Sequence, residues 1–106
     1  MSRKIVAYVP DLLDRSKVAA AGDVRFVGRP DELAETAASV GADVVVVDLT
    51  RPGVVEAIGG ISVPVIAFAN HTRRDLMDAA LQAGASQVMA RSAFFSRLDA
   101  LLAGPH

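Results

Sequence analysis

The sequence predicts an α/β fold in which a five-stranded parallel sheet carries helices on both of its faces. Five strand-like apolar runs alternate with five helix-like segments, and the connections between them are short. Strict alternation of this kind is typical of parallel sheets with right-handed crossovers. Residues 44–47 are four consecutive valines, and such a run is typical of a central strand buried on both faces.

The first strand, first helix and second strand are predicted within residues 5–27. Residues 5–9 form a continuous apolar run, as expected of an inner strand. A helix is predicted over residues 11–21, because Gly22 is a suitable residue just past a helix end. Residues 24–27 alternate apolar and polar side chains, which is typical of an edge strand.

The second helix is predicted to begin at Pro30, where the missing N–H is tolerated, and to end at Gly41. Its inner face is predicted from helical spacing at Leu33, Ala37 and Val40. The third strand contains the valine run and ends at Asp48. A short helix is predicted over residues 54–58, ended by the glycines at 59–60. That glycine pair precedes a strand and not a helix, so it is not predicted to hold a phosphate.

The fourth strand is predicted at residues 64–68, and residues 70–71 form the loop behind it. Thr72, with Asp75 three residues later, is typical of a capping box at the start of a helix. Gly84 is predicted to end that helix.

The fifth strand is predicted at residues 87–90, and Ser92 is predicted to cap a last helix that ends at Gly104-Pro105. The apolar stripe of this helix contains Phe94, Phe95, Leu98, Leu101 and Leu102. Neighbours on a helix point about 100° apart, so only one of the two phenylalanines is expected to face fully inward.

Composition predicts one domain, residues 1–106, with an aliphatic core, since 52% of the residues are hydrophobic and 5% are aromatic. The net charge of −1 provides no basic surface for nucleic acid or for an anionic membrane. Cysteine is absent, which excludes disulfides and thiol chemistry. No apolar run has the length of a signal peptide or a membrane span, so we expect a cytoplasmic protein.

Five strands favour the flavodoxin-like strand order 2-1-3-4-5, in which the winding reverses between the first and third strands. Ligands of such sheets bind in the crevice at the carboxyl ends of the strands. We therefore expect a crevice around Asp48. Its expected lining residues are Asp11, Ala69, Asn70, His71 and Arg91.

Residues 44–53 read VVVVDLTRPG, residues 64–70 read PVIAFAN and residues 84–92 read GASQVMARS. These three segments resemble the receiver domains of bacterial response regulators. The resemblance spans nearly the whole chain and implies that Asp48 corresponds to the phosphoacceptor aspartate. It also implies a histidine kinase or a small phosphodonor as the source of phosphate for an active member.

The same resemblance identifies departures at the residues that carry receiver chemistry. Val9 and Pro10 replace the expected pair of acids, and Asp11 follows one residue late. Ala69 replaces the hydroxyl residue and Arg91 replaces the lysine. The acid pair normally helps to hold Mg²⁺, which requires a nearly ideal oxygen cage. Asp11 and Asp48 are therefore weak candidate metal ligands, and we expect no cofactor, with Mg²⁺ as the disfavoured alternative.

Each candidate residue also has a structural interpretation. Asp48 is either a polar functional group or an acid that accepts hydrogen bonds from backbone N–H groups at the strand end. Asp11 is either a metal ligand or a favourable acid at a helix start. Arg91 either neutralises Asp48 or points to water. His71 lacks a recognisable catalytic partner, so it is expected to be a solvated loop residue that lines the crevice.

The sequence thus predicts a non-catalytic, receiver-like regulatory domain whose partner is another protein. A phosphoacceptor receiver modified at Asp48 is the first alternative, and a small-molecule-binding flavodoxin-like domain is the second. A homodimer is considered through the face of the last helices, where one phenylalanine would supply the apolar centre. The charged groups available there are Arg73, Arg74, Asp78, Arg97 and Asp99.

Overall fold

The computed structural model describes residues 3–103, and it contains one sheet of five parallel strands in the order β2-β1-β3-β4-β5. Every neighbouring pair is parallel. The strands are β1 (Lys4–Tyr8), β2 (Asp23–Phe26), β3 (Val44–Asp48), β4 (Val65–Ala69) and β5 (Gln87–Ala90). The predicted fold class and strand order are confirmed.

Helices follow the strands, as the alternation predicted. They are α1 (Leu12–Ala21), α2 (Leu33–Val40), α3 (Val54–Ile58), α4 (Arg74–Ala83), α5 (Arg91–Ser96) and α6 (Leu98–Ala103). A turn of 3₁₀-helix, Pro30–Glu32, precedes α2, so the proline does open this helical segment. Within residues 3–103, no helix is long and apolar enough to cross a membrane.

The valine strand separates two apolar layers, one on each face of the sheet. Val45 and Val47 pack into the layer beneath α2, α3 and α4. Val44 and Val46 pack into the opposite layer, which includes Val18 of α1 and the buried apolar residues of α5 and α6. All residues of β3 are buried, as expected of a central strand in a parallel sheet.

Glycines end α2 and α4 as predicted. Gly41 has a φ of 68° and Gly84 has a φ of 114°, both in the left-handed region that a Cβ disfavours. Gly22 follows α1 for a different reason, because its backbone is extended. A Cβ added there would lie 2.9 Å from Cδ1 of Ile5, so a larger residue would have to displace the end of that side chain.

The capping box predicted at Thr72 is wrong. The residue that precedes α4 is Arg73, and no side chain caps the helix there. Asp75 instead accepts two hydrogen bonds from Arg73, at 3.1 Å each. These bonds lower the pKa of the Asp75 carboxyl from its usual value. The carboxylate that a capping box needs is therefore engaged by a neighbouring guanidinium.

The last helix also differs from its prediction. It begins two residues earlier than a helix capped by Ser92 would, at Arg91 after an extended Ala90, so Ser92 lies inside the first turn and is not the cap. The helix breaks at Arg97, whose φ of −113° is not helical, and α6 continues after it. The predicted stop at Gly104-Pro105 lies outside the described residues.

Candidate functional site

The carboxyl ends of the five parallel strands meet at one edge of the sheet, and the candidate residues follow from this register. Asp48 is the last residue of β3 and Ala69 is the last residue of β4. Arg91 follows β5 directly, and Asp11 lies just beyond β1 at the start of α1. The topology therefore brings residues that are distant in sequence to the same edge.

Asp48 is buried, with 4% of its surface exposed, and its carboxylate is engaged locally. Its Oδ1 accepts hydrogen bonds from the backbone N–H of Thr50 at 3.0 Å and from the Thr50 hydroxyl at 2.6 Å. Its Oδ2 lies 3.8 Å from Nε of Arg51. The turn after β3 thus supplies both hydrogen bonds and a nearby cation to this buried side chain.

The hydroxyl of Thr50 gives a first testable prediction. Thr50→Ala removes one of the two hydrogen bonds to a buried charge, so we expect the free energy of unfolding to fall by about 1–2 kcal/mol. Thr72→Ala is the matched control, because Thr72 is an exposed loop threonine near the same edge of the sheet. Urea unfolding of both variants measures the difference, and equal midpoints would contradict the assigned bond.

Arg91 is paired with Asp14, an acid on α1 that is only 1% exposed. Both terminal nitrogens of the guanidinium donate to the two carboxylate oxygens, with a distance of 2.6 Å between Nη1 and Oδ2. These hydrogen bonds raise the pKa of Arg91 above its usual value, against the opposing effect of burial. Bidentate pairing of this kind gives geometric specificity as well as energy. The ion pair links α1 to α5 across the carboxyl edge of the sheet.

The expectation that Arg91 forms an ion pair with Asp48 is therefore wrong. The guanidinium of Arg91 lies over aromatic rings, 5.1 Å from the ring centroid of Phe95 and 5.9 Å from that of Phe68, and it extends toward α1. Arg51, three residues after Asp48, is the cation that approaches the Asp48 carboxylate.

Sequence reasoning missed Asp14, although helical spacing carries the signal. Val18 is the buried apolar residue of α1, and Asp14 lies four residues earlier on the same inward face. Leu12 and Leu13 are the apolar residues of this turn, yet they are 79% and 75% exposed. A buried acid on an inward helix face requires a cation from elsewhere in the fold, and Arg91 is that cation.

Asp11 serves as the cap of α1. Its Oδ1 accepts the backbone N–H of Asp14 at 3.0 Å, in agreement with the structural interpretation of this residue.

The acids at this edge do not fit a Mg²⁺ site. Both carboxylate oxygens of Asp14 accept hydrogen bonds from Arg91. Asp11 and Asp48 each use one oxygen to accept a hydrogen bond from a backbone N–H two or three residues further along the chain. Val9 is buried in the core and offers no side-chain oxygen. Within residues 3–103, no three acidic or histidine side chains gather as metal ligands. Mg²⁺ requires a nearly octahedral set of oxygens, and these residues do not provide one.

A cleft of about 260 Å³ lies beside this edge, between α1, the loop after β4 and the start of α5. Its lining residues are Lys17, Asn70, His71, Arg91, Ser92 and Phe95. The structure thus brings together three of the expected crevice residues, Asn70, His71 and Arg91. Ala69 is buried behind the loop, and Asp11 and Asp48 do not line this cleft.

No family model and no curated protein matches the chain. Solved structures with the same fold do match. A response regulator from Hahella chejuensis superposes with a TM-score of 0.81 at 16% identity, over 95% of this chain and 92% of that one.

Two further solved structures are similar over almost their whole length. The signal receiver domain of the response regulator NarL from Mycobacterium tuberculosis has a TM-score of 0.77 at 18% identity, covering 94% of this chain and 92% of that chain. A CheY-like protein (tadZ) from Pseudomonas aeruginosa has a TM-score of 0.72 at 24% identity, covering 100% of this chain and 97% of that chain. The chain therefore has the receiver fold.

Proposed function

We propose that this chain is a receiver-like regulatory domain that acts through contact with another protein and is not phosphorylated at Asp48. The observation that carries the proposal is the ion pair between Arg91 and Asp14. It engages the cation that follows β5 with a buried acid of α1, so this cation does not pair with the carboxylate of Asp48.

Phosphoryl transfer to a carboxylate depends on positioning and on neutralising the charge of the transferred group. A divalent ion normally supplies most of that neutralisation. At this edge the acids that would hold the ion are engaged in caps and ion pairs, and Ala69 offers no hydroxyl to the phosphoryl oxygens. The proposal therefore includes neither Mg²⁺ nor another cofactor.

The protein-contact part of the proposal is supported by Leu12 and Leu13. They form an exposed apolar pair in the first turn of α1, immediately after the Asp11 cap. Apolar side chains that are exposed next to one another are candidates for a contact surface. A second copy of the chain, docked through the face of α4, β5, α5 and α6, is the alternative partner. The proposed setting is cytoplasmic, without nucleic acid or membrane.

Treatment with acetyl phosphate and Mg²⁺ tests this proposal. We expect intact mass spectrometry to detect no phosphoryl adduct on the chain, and we expect beryllofluoride with Mg²⁺ to leave the backbone amide signals of residues 48–51, around the Asp48 carboxylate, unchanged. The physical reason is the missing oxygen cage at this edge. Asp48→Asn is the matched control for any adduct that does form.

The positive control is a different receiver domain that retains both acids of the pair. Its phosphorylation under the same conditions would show that the phosphodonor is active. An adduct that maps to Asp48 and is lost in Asp48→Asn would overturn the proposal. The phosphoacceptor alternative would then be correct.

A further inference from the structure

The cleft beside α1 is rich in hydrogen-bond donors and has no acid among its lining residues. Lys17, Arg91, the Asn70 amide and the Ser92 hydroxyl each offer donors, and His71 offers a ring N–H. Nη1 and Nη2 of Arg91 are bound to Asp14, and Nε remains as its third donor group. Such a lining favours a ligand that accepts hydrogen bonds.

Two cations line the cleft, and only one of them has an ion-pair partner among the described residues. Lys17 and Arg91 both lie near the ring of Phe95, with Nζ at 5.3 Å and Cζ at 5.1 Å from its centroid. Asp14 is the ion-pair partner of Arg91, and the carboxylates of Asp48 and Asp11 act on Arg91 from a greater distance. Among residues 3–103, no carboxylate forms an ion pair with Lys17.

A second cleft, lined by Lys17 and residues 95–100, does not supply a negative charge that pairs with Lys17. Lys17 also lines that cleft, where the single acid Asp99 is accompanied by Arg97, so these two charges offset each other. Lys17 remains as one uncompensated cation at the mouth of the donor-rich cleft. A bound anion would balance it.

We infer that the cleft lined by Lys17, His71 and Arg91 binds a small oxyanion of the phosphate class, as inorganic phosphate or as a low-mass phosphomonoester. The volume of about 260 Å³ is slightly below the roughly 300–1,000 Å³ of ordinary ligand pockets, so the ligand is small. Donors from three separate elements surround it, which suits a tetrahedral group with several acceptor oxygens better than a planar carboxylate. This site is separate from the carboxylate of Asp48, and its existence does not depend on the proposed regulatory function.

Titration with inorganic phosphate at constant ionic strength, followed by backbone amide chemical shifts, tests the inference. We expect saturable shifts that are largest at Asn70, His71 and Ser92. Lys17→Gln is expected to weaken phosphate binding by about tenfold, because it removes a charged hydrogen-bond donor. Lys4→Gln is the matched control, since Lys4 is the only other lysine of the chain. Lys4 lies at the amino end of β1, whereas the cleft lies beside the carboxyl edge of the sheet. The control variant should bind phosphate within about twofold of the unmodified protein.

Parallel titrations distinguish the ligand chemistry. Methyl phosphate that binds more tightly than phosphate would identify a phosphomonoester, and the reverse order would identify inorganic phosphate. Acetate that binds as tightly as either would overturn the assignment to phosphates. Equal affinities of the Lys17→Gln and Lys4→Gln variants, or shifts spread over all basic residues, would overturn the site itself. Lys17 is exposed, so the spectrum of its variant is expected to keep the native dispersion.

Discussion

Arg91→Gln is expected to lower the free energy of unfolding by about 2–3 kcal/mol. The substitution leaves the Asp14 carboxylate buried without its cation, and breaking one side of a fully buried ion pair typically costs about 3–5 kcal/mol. The Arg91 side chain is 42% exposed, so water reaches the pair from one side and the expected loss is smaller. Urea unfolding at neutral pH measures the effect.

An exposed ion pair of the same residue types serves as the control, because it shows how much stability depends on burial of the pair. Arg73→Gln breaks the pair with Asp75, in which the side chains of Arg73 and Asp75 are 47% and 66% exposed, and a much smaller change in the free energy of unfolding is expected because water screens this pair. The double variant Asp14→Asn/Arg91→Gln removes the buried charge as well. It should recover more than about 1 kcal/mol relative to Arg91→Gln alone. Additive effects of the two substitutions would contradict a direct interaction between Asp14 and Arg91.

The sheet was predictable because its signals are local. The valines of residues 44–47 require a strand buried on both faces, and Gly41 and Gly84 end helices in a left-handed conformation. Strict alternation of strands and helices then leaves few arrangements of five parallel strands. Each of these inferences needs only neighbouring residues and general rules of chain geometry.

The partners of the charged residues were not predictable in the same way. Arg91 lies 77 positions from Asp14, and only the packing of α5 against α1 brings the two side chains together. Asp48 is the exception, because its hydrogen bonds come from Thr50, two residues on, and bonds from nearby backbone N–H groups were one of the two interpretations of this residue. Comparison with the receiver motif places Arg91 at the position of the lysine, close to Asp48. The side chain of arginine is long, however, and it can reach more than one acid from that position.

Phe94→Ala is expected to have the largest effect on stability of any substitution considered for this chain, with a loss of about 3–5 kcal/mol. Phe94 is fully buried, and its ring stacks on Phe68 with the centroids 4.7 Å apart. Truncation would leave a cavity in the layer between β4 and the last helices, which those elements cannot easily close. Phe94→Leu, with an expected loss of about 1–2 kcal/mol, keeps the measurement in range if the alanine variant does not fold.

Phe95→Ala is the matched control, and it bears on the proposed protein contact. Phe95 is half-buried, and the cations of Lys17 and Arg91 lie near its ring, so its truncation is expected to lower the unfolding free energy by only about 1–2 kcal/mol. This arrangement also means that Phe95 does not present a bare apolar centre for a dimer through the last helices, whereas Leu12 and Leu13 are exposed. A larger loss for Phe95→Ala than for Phe94→Ala would reverse the inward and outward assignment of the two rings. Phe94 would then be the residue available to a partner at that face.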